Sequence, residues 1–428
     1  MAIEIEQRPV WEVDEELRAL LRARRERAVP HAHTCCIVGG GPAGMMLGLL
    51  LARAGIDVAV LEKHSDFLRD FRGDTVHPST LRVLADVGLI DEFLALPHSK
   101  VRHTTVPTGK GPLKVDLSRI GSPYDFVAFV PQWDFLELLA SAGRQLPNFH
   151  LLMESEVTDL VIQQGRVAGV RFRGPDGDGE IHALLTVGAD GRDSVVRLGS
   201  GISVDETSAP MDVFWFRLTR WPDESEAIQA RLSDGHLAVF LNRGTYWQVA
   251  YVIPKGASED VLGEGIESLR QTLIQLAPEL GPRVYEVRDW SDVKLLTVRS
   301  NHVRRWWRPG LLLIGDAAHA MSPIGGVGLN LAIQDAVAAY NILVRNLVRG
   351  HPVDKLLARV ERRRRLPTVL TQRFQALLQS AVIKPVLAGR TTQMPLAARM
   401  LLRTPVFQRL PARIVGLGFR PERVSLLS

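Results

Sequence analysis

The chain has 428 residues and a net charge of +5, with 46% apolar and 23% charged residues. That balance is globular, which excludes a disordered or fibrous chain, and the length suits two domains. The two cysteines, Cys35 and Cys36, are adjacent, which excludes a disulfide framework or a cysteine-built metal site and points to a reducing, cytoplasmic compartment.

The opening Met-Ala-Ile-Glu-Ile-Glu lacks the basic-then-apolar order of a signal peptide. Residues 1–32 read as an extension, with a charged surface helix at Asp14–Arg27 that Pro30 ends. Thr34–Ala52 has no charge over nineteen residues, the length of a membrane span. Its glycines at 39, 40, 41, 44 and 48 fit a strand, a tight turn and a buried helix better. So Thr34–Val38 is expected as a strand, Pro42–Ala54 as a helix closed by Gly55, and Asp57–Leu61 as a second strand: a βαβ opening.

Residues 106–128 are rich in Pro and Gly and read as strands over a cleft. Asp134–Gln145 is helical, and Glu156–Arg173 is a hairpin turning at Gln164-Gly165. Ala183–Ala189 is a strand ending at Asp190-Gly191. Between Asp205 and Arg299 the alternation favours strands, such as Val213–Thr219 and Tyr246–Ile253, with a helix at Val261–Leu276. Leu311–Ile314 returns to a nucleotide-domain strand. Residues 351–428 read as helices punctuated by prolines, Pro367 and Pro385 among them. This stretch carries a net +12 and the rest of the chain −7. Without a nucleic-acid motif, the excess reads as a solvated or body-paired helical cap; contact with an acidic membrane is the other use of such charge.

Gly39-Gly40-Gly41-Pro42-Ala43-Gly44 satisfies G-x-G-x-x-G between a strand and a helix. Its first glycine permits the turn, the second lets backbone approach a pyrophosphate, and the third lets the helix pack on the strand. Glu62 ends the next strand, 23 residues after Gly39, where a carboxylate can accept from ribose hydroxyls and would repel a 2′-phosphate. The nucleotide expected is therefore FAD or NAD. No second such fingerprint occurs. Two further motifs follow. Val187–Arg197 carries Asp190-Gly191 at a strand end, and Gly315–Asn330 runs from a strand through Asp316 and a glycine-rich loop into a helix. Asp316 can accept from ribityl hydroxyls, and the amides of Gly328–Asn330 can face an electron-rich ring edge.

These three motifs, in this order, resemble the flavoprotein aromatic hydroxylases, the single-component FAD monooxygenases related to para-hydroxybenzoate hydroxylase, over about residues 33–345. The resemblance implies an α/β fold: a Rossmann-type FAD-binding domain (33–105, 129–204 and 300–350), an inserted β-sheet substrate domain (106–128 and 205–299) and a helical C-terminal region (351–428). It carries FAD binding to Gly39, Gly41, Pro42, Ala43, Gly44, Glu62, Lys63, Asp190, Asp316, Pro323, Gly326, Gly328, Leu329 and Asn330. Arg72, Gln132 and Val157 match further family contacts, to the pyrophosphate or flavin, the flavin, and the adenine. Val327 departs from the family, where many members have glutamine.

The implied reaction uses NADH or NADPH as a transient cosubstrate and O2. A C4a-hydroperoxyflavin then hydroxylates or epoxidises a small aromatic or polycyclic molecule. An alkene reductase of the geranylgeranyl type is the alternative. A flavin halogenase is disfavoured, because Val249–Pro254 lacks that class's two tryptophans. Phe214, Phe216, Trp247, Val249 and Tyr251 could wall the substrate, although such alternating residues are more often core. Arg217, Gln248, Lys294 and Arg299 could orient it, with His77 and His319 as proton relays. No catalytic base and no metal ligands are assigned, and His31 with His33 reads as a surface pair.

Overall fold

The computed structural model describes residues 32–68, 75–106, 113–224, 228–233, 235–389 and 412–425. The expected Asp14–Arg27 helix, His31 and Arg72 lie outside the described residues.

The βαβ opening forms as the spacing predicts. Strand β1 (Ala32–Val38) leads into helix α1 (Pro42–Arg53) and then β2 (Val58–Leu61). The helix closes at Gly55 with φ +79°, a conformation glycine adopts without strain. Next come β3 (Thr75–Val76), α2 (Pro78–Asp86), β4 (Ser99–Val101), β5 (Val127–Phe129), α3 (Gln132–Arg144) and β6 (Phe149–Leu152). The hairpin of β7 (Glu156–Gln163) and β8 (Arg166–Gly174) turns at Gln164 and Gly165, both with positive φ. Strand β9 (Gly177–Gly188) and the short helix α4 (Val195–Gly199) complete this half.

The inserted sheet holds β10 (Met211–Thr219), β11 (Gln229–Ser233), β12 (His236–Asn242) and β13 (Tyr246–Pro254). The single helix expected at Val261–Leu276 is two helices, α5 (Ser258–Gly263) and α6 (Ile266–Leu276). Gly265, with φ +84°, breaks the run. Strand β14 (Lys294–Leu296) joins the inserted sheet, and β15 (Trp307–Arg308) and β16 (Leu311–Leu313) return to the first. Helices α7 (Gly328–Val348) and α8 (Asp354–Leu378) follow.

The large sheet runs β15-β16-β9-β1-β2-β6, with β8 and β7 extending from β9. Strands β16, β9, β1, β2 and β6 are parallel, as the helical crossovers require. Helix α7 packs on α1 and α8. The stretch Ile324–Val348 is long and apolar enough to cross a membrane, yet 78% of its apolar window is buried in the core. The inserted sheet runs β11-β12-β13-β10-β14 and is antiparallel. Its members β10 and β13 pair from Met211–Pro254 to Thr219–Tyr246.

Pro367 does not punctuate the C-terminal region. It lies inside the 25-residue α8. Its carbonyl accepts from Thr371 Oγ1 at 2.9 Å, and the buried face of α8 holds the helix through the gap.

Candidate functional site

Strand β1 delivers the chain to Gly39, whose φ of +106° only glycine adopts without strain. A Cβ there would stand 2.4 Å from the Ala189 carbonyl, and one on Gly44 would stand 2.0 Å from the Gly39 carbonyl. These two glycines close the turn. Gly41 is different: a Cβ there would meet nothing within 4 Å. It is the N-cap of α1, with Pro42 at the first turn and no side chain capping the helix. The helix start therefore presents N–H groups and positive dipole to open space, which fits a pyrophosphate.

Glu62 is buried beside this turn. Its Oε2 accepts from Gly40 N–H at 2.9 Å, and its Oε1 is 2.5 Å from His64 Nδ1. The carboxyl group thus braces the turn at the end of β2. Lys63 next to it is exposed. Val157, at the start of β7, follows Ser155, whose N–H donates to the Glu62 carbonyl at 2.8 Å. The structure brings Glu62, Lys63 and Val157 to one rim.

Asp190 turns inward. It accepts from Ser194 Oγ at 2.6 Å and Val196 N–H at 3.1 Å, so it braces the start of α4. Burial raises its pKa. Across the turn, Arg192 Nε donates to Asp316 Oδ2 at 3.1 Å. Arg192 was in the Asp-Gly motif, but spacing alone did not single it out.

The glycine-rich loop is clamped by Asn330. Its Oδ1 accepts from His77 N–H at 2.8 Å and Thr80 Oγ1 at 2.7 Å. Its Nδ2 donates to the Thr75 and Gly326 carbonyls at 3.1 and 3.2 Å. Gly326 has φ +60°, and a Cβ there would lie 2.1 Å from Thr75 Oγ1. Pro323 begins the turn. Gly328 and Leu329 open α7, whose N-cap Val327 makes no side-chain cap. So α1 and α7 both start without a side-chain cap. Gln132 is the first residue of α3 and is half-buried.

Beneath the loop lies a buried network that spacing did not reveal. His319 Nε2 is 2.5 Å from Asp335 Oδ2, and Arg364 Nε donates to Asp335 Oδ1 at 2.9 Å. Asp335 also accepts from Gly315 N–H at 3.1 Å, so it props the strand end that carries Asp316. Burial pushes the Asp335 carboxyl up, but His319 and Arg364 outweigh it and hold it low. His319 is thus committed to structure. His77 Nδ1 donates to the Val415 carbonyl at 2.6 Å, and burial lowers its pKa.

Phe214, Phe216, Trp247, Val249 and Tyr251 form a closed core with Leu269 and Leu273 of α6. The opposite face of that sheet, with Val213, Trp215, Val239 and Ala250, meets Ile324 of the loop. Strand alternation put two apolar faces in view, and α6 covers the one the sequence favoured. Of the polar candidates, Gln248 is buried and accepts from Arg243 Nε at 2.7 Å. Arg243 in turn lies over the Phe129 ring at 5.3 Å. Arg217 and Lys294 are exposed, and Arg299 reaches exposed Asp193 at 3.3 Å. A cavity opens beside the loop. Ile324, Val327, Phe374, Leu378 and Val415 wall it.

The family model described as FAD binding domain matches residues 32–373. The chain is 33% identical over 387 residues to the 6-methylpretetramide 4-monooxygenase of Streptomyces rimosus, covering 90% of this chain and 92% of that one. It is 26% identical to the para-nitrophenol 4-monooxygenase of a Pseudomonas species, covering 73% and 78%. Among solved structures, OxyS anhydrotetracycline hydroxylase from Streptomyces rimosus superposes with a TM-score of 0.71 at 25% identity, covering 91% and 77%. The chain belongs to the FAD binding domain family, among the aromatic hydroxylase-like FAD-dependent monooxygenases.

Proposed function

We propose that this enzyme hydroxylates a polycyclic aromatic molecule, consuming O2 and NADH or NADPH. The reading rests on end-to-end similarity to a polycycle monooxygenase. The helix starts of α1 and α7, which follow the G-x-G-x-x-G turn and the glycine-rich loop, support it, since their N–H groups suit the pyrophosphate and the ring edge of FAD. Bound FAD would supply hydride acceptance from the nicotinamide and activation of O2, one oxygen atom going to the substrate and the other to water.

The chain's own residues bind and orient. Gly39, Gly41, Pro42, Ala43 and Gly44 cradle the pyrophosphate, with Arg72 the second candidate for it. Glu62 takes the ribose, and Lys63 and Val157 border the adenine. Asp316, steadied by Arg192, takes the ribityl chain. Asp190 shapes the adjoining turn. Pro323, Gly326, Gly328, Leu329, Asn330 and Gln132 border the flavin, Asn330 through its backbone because its side chain is fully used. The substrate is assigned to the half-buried rim beside the loop at Trp215, on a face that Ile324, Val382, Ile383 and Leu387 also pack against, where apolar groups exclude water. The FAD-binding segments (33–105, 129–204 and 300–350) and the substrate segments (106–128 and 205–299) divide this work.

The test is oxygen uptake by the FAD-loaded enzyme with each nicotinamide, with 6-methylpretetramide as the probe substrate. Incorporation of one atom from labelled O2 per NAD(P)H is expected. Nicotinamide oxidation coupled to alkene reduction, without incorporation, would restore the reductase alternative, which the relatives do not favour.

A further inference from the structure

Three neighbouring strands of the parallel sheet, β1, β2 and β6, begin at the end opposite the pyrophosphate cradle. His33 lies near the start of β1, Asp57 just before β2, and His150 on β6, the edge strand beside β2. Pairing brings them together: Cys35 stands opposite Val58, and Ala59 opposite His150. His33 Nδ1 is 2.7 Å from Asp57 Oδ2, and His150 Nε2 is 2.8 Å from Asp57 Oδ1. The two imidazole rings are 5.0 Å apart. One ligand atom from each residue lies within 4.8 Å of the others. His33 is six residues upstream of Gly39, about 20 Å along an extended strand, so the cluster is remote from the pyrophosphate cradle.

We infer that His33, Asp57 and His150 form a zinc site. Two imidazole nitrogens and a carboxylate oxygen are ligands that zinc prefers. His33 and Asp57 are half-buried and His150 is more exposed, so a fourth position is open to water. Tetrahedral ligand bonds near 2.0–2.2 Å set ligand atoms about 3.4 Å apart, so each imidazole would back away from Asp57 by roughly 0.5 Å to admit the ion. Half-exposed side chains can do so without disturbing the core. The backbone beneath is already fixed, because Thr34 and Cys35 N–H both donate to the Asp57 carbonyl, at 3.1 and 3.2 Å. The ion would tie together the starts of three strands that are far apart in sequence. The role is structural, and flavin chemistry does not depend on it.

Calorimetric titration of the FAD-loaded full chain with Zn²⁺ tests this, with Mg²⁺ as the control. One Zn²⁺ per chain and a raised melting temperature are expected, with no Mg²⁺ binding. Asp57→Asn and His150→Asn should each weaken Zn²⁺ at least tenfold and remove the thermal shift, with the flavin spectrum unchanged. His31→Ala should bind as the parent does. Absence of stoichiometric binding overturns the site. So does binding that survives His150→Asn or is lost in His31→Ala, which would mark an N-terminal histidine pair instead.

Discussion

Two glycines of one motif are set apart by what surrounds them. Gly44 touches backbone, with the Gly39 carbonyl 2.0 Å from where a Cβ would stand, and backbone cannot yield as a flexible side chain can. Gly41 has ordinary helical-entry dihedrals, φ −77° and ψ −179°, and open space in front of it. Gly41→Ala should therefore leave stability within about 0.5 kcal/mol, as for substitutions that touch nothing. It should weaken FAD at least tenfold, because the methyl occupies the approach of the phosphates. Gly44→Ala should lose both stability and FAD. Thermal melting and flavin-fluorescence titration of the two variants separate these outcomes. Equal FAD affinity in Gly41→Ala and the parent would remove the pyrophosphate from α1. Asn330 gives a second test at this scale. Its four hydrogen bonds tie the loop to β3 and α2. Asn330→Ala should cost on the order of 2–4 kcal/mol, read from denaturant unfolding.

At the scale of elements, the two faces of β10 make opposite predictions. Phe216 is fully buried against α6, so Phe216→Ala should cost about 3–5 kcal/mol in denaturant unfolding and leave KM for the polycycle unchanged. Trp215 points to the loop, so Trp215→Ala should raise KM several-fold with a smaller loss of stability. Reversed effects would move the substrate to the α6 side. This is where the sequence stopped being legible. Glycine spacing marks strand, turn and helix because each glycine answers a local backbone demand. Alternation in Val213–Thr219 shows only that two faces differ, and which face α6 covers is decided by chain some fifty residues later. The same holds for Asp335. Nothing local marks it, since its partners His319 and Arg364 come from either side of it in the chain. Pro367 misled for the complementary reason: a local rule favoured a break, and burial of its face of α8 overrode it.

Over the whole molecule, charge is placed to hold parts together. Within the basic C-terminal region, Arg363, Arg364 and Arg365 reach Glu422, Asp335 and Glu361. In the inserted sheet, Glu224 accepts from both terminal nitrogens of Arg283, at 2.7 and 2.9 Å, and from Trp247 Nε1 at 2.9 Å. Hydrogen bonding to Arg283 is the main reason its carboxyl falls from 4.5 to about 2. Burial alone would raise Asp335 and Asp212, yet their cationic partners hold both below the ordinary range. A carboxyl whose pKa is lower folded than unfolded contributes stability that is complete above its unfolded value and disappears as pH falls through its folded value. Buried Asp190, raised by burial, opposes them weakly. The sum predicts a melting temperature that is flat from pH 7 to about 5 and falls steeply from there toward pH 2. Glu224→Gln should melt lower at pH 7 and fall less steeply between pH 4.5 and 2.5, so that the two curves converge near pH 2, where Glu224 itself takes up its proton. Parallel curves across that window would mean that the Arg283 pair contributes nothing to acid stability, and the decline would then belong to Asp335 and Asp212.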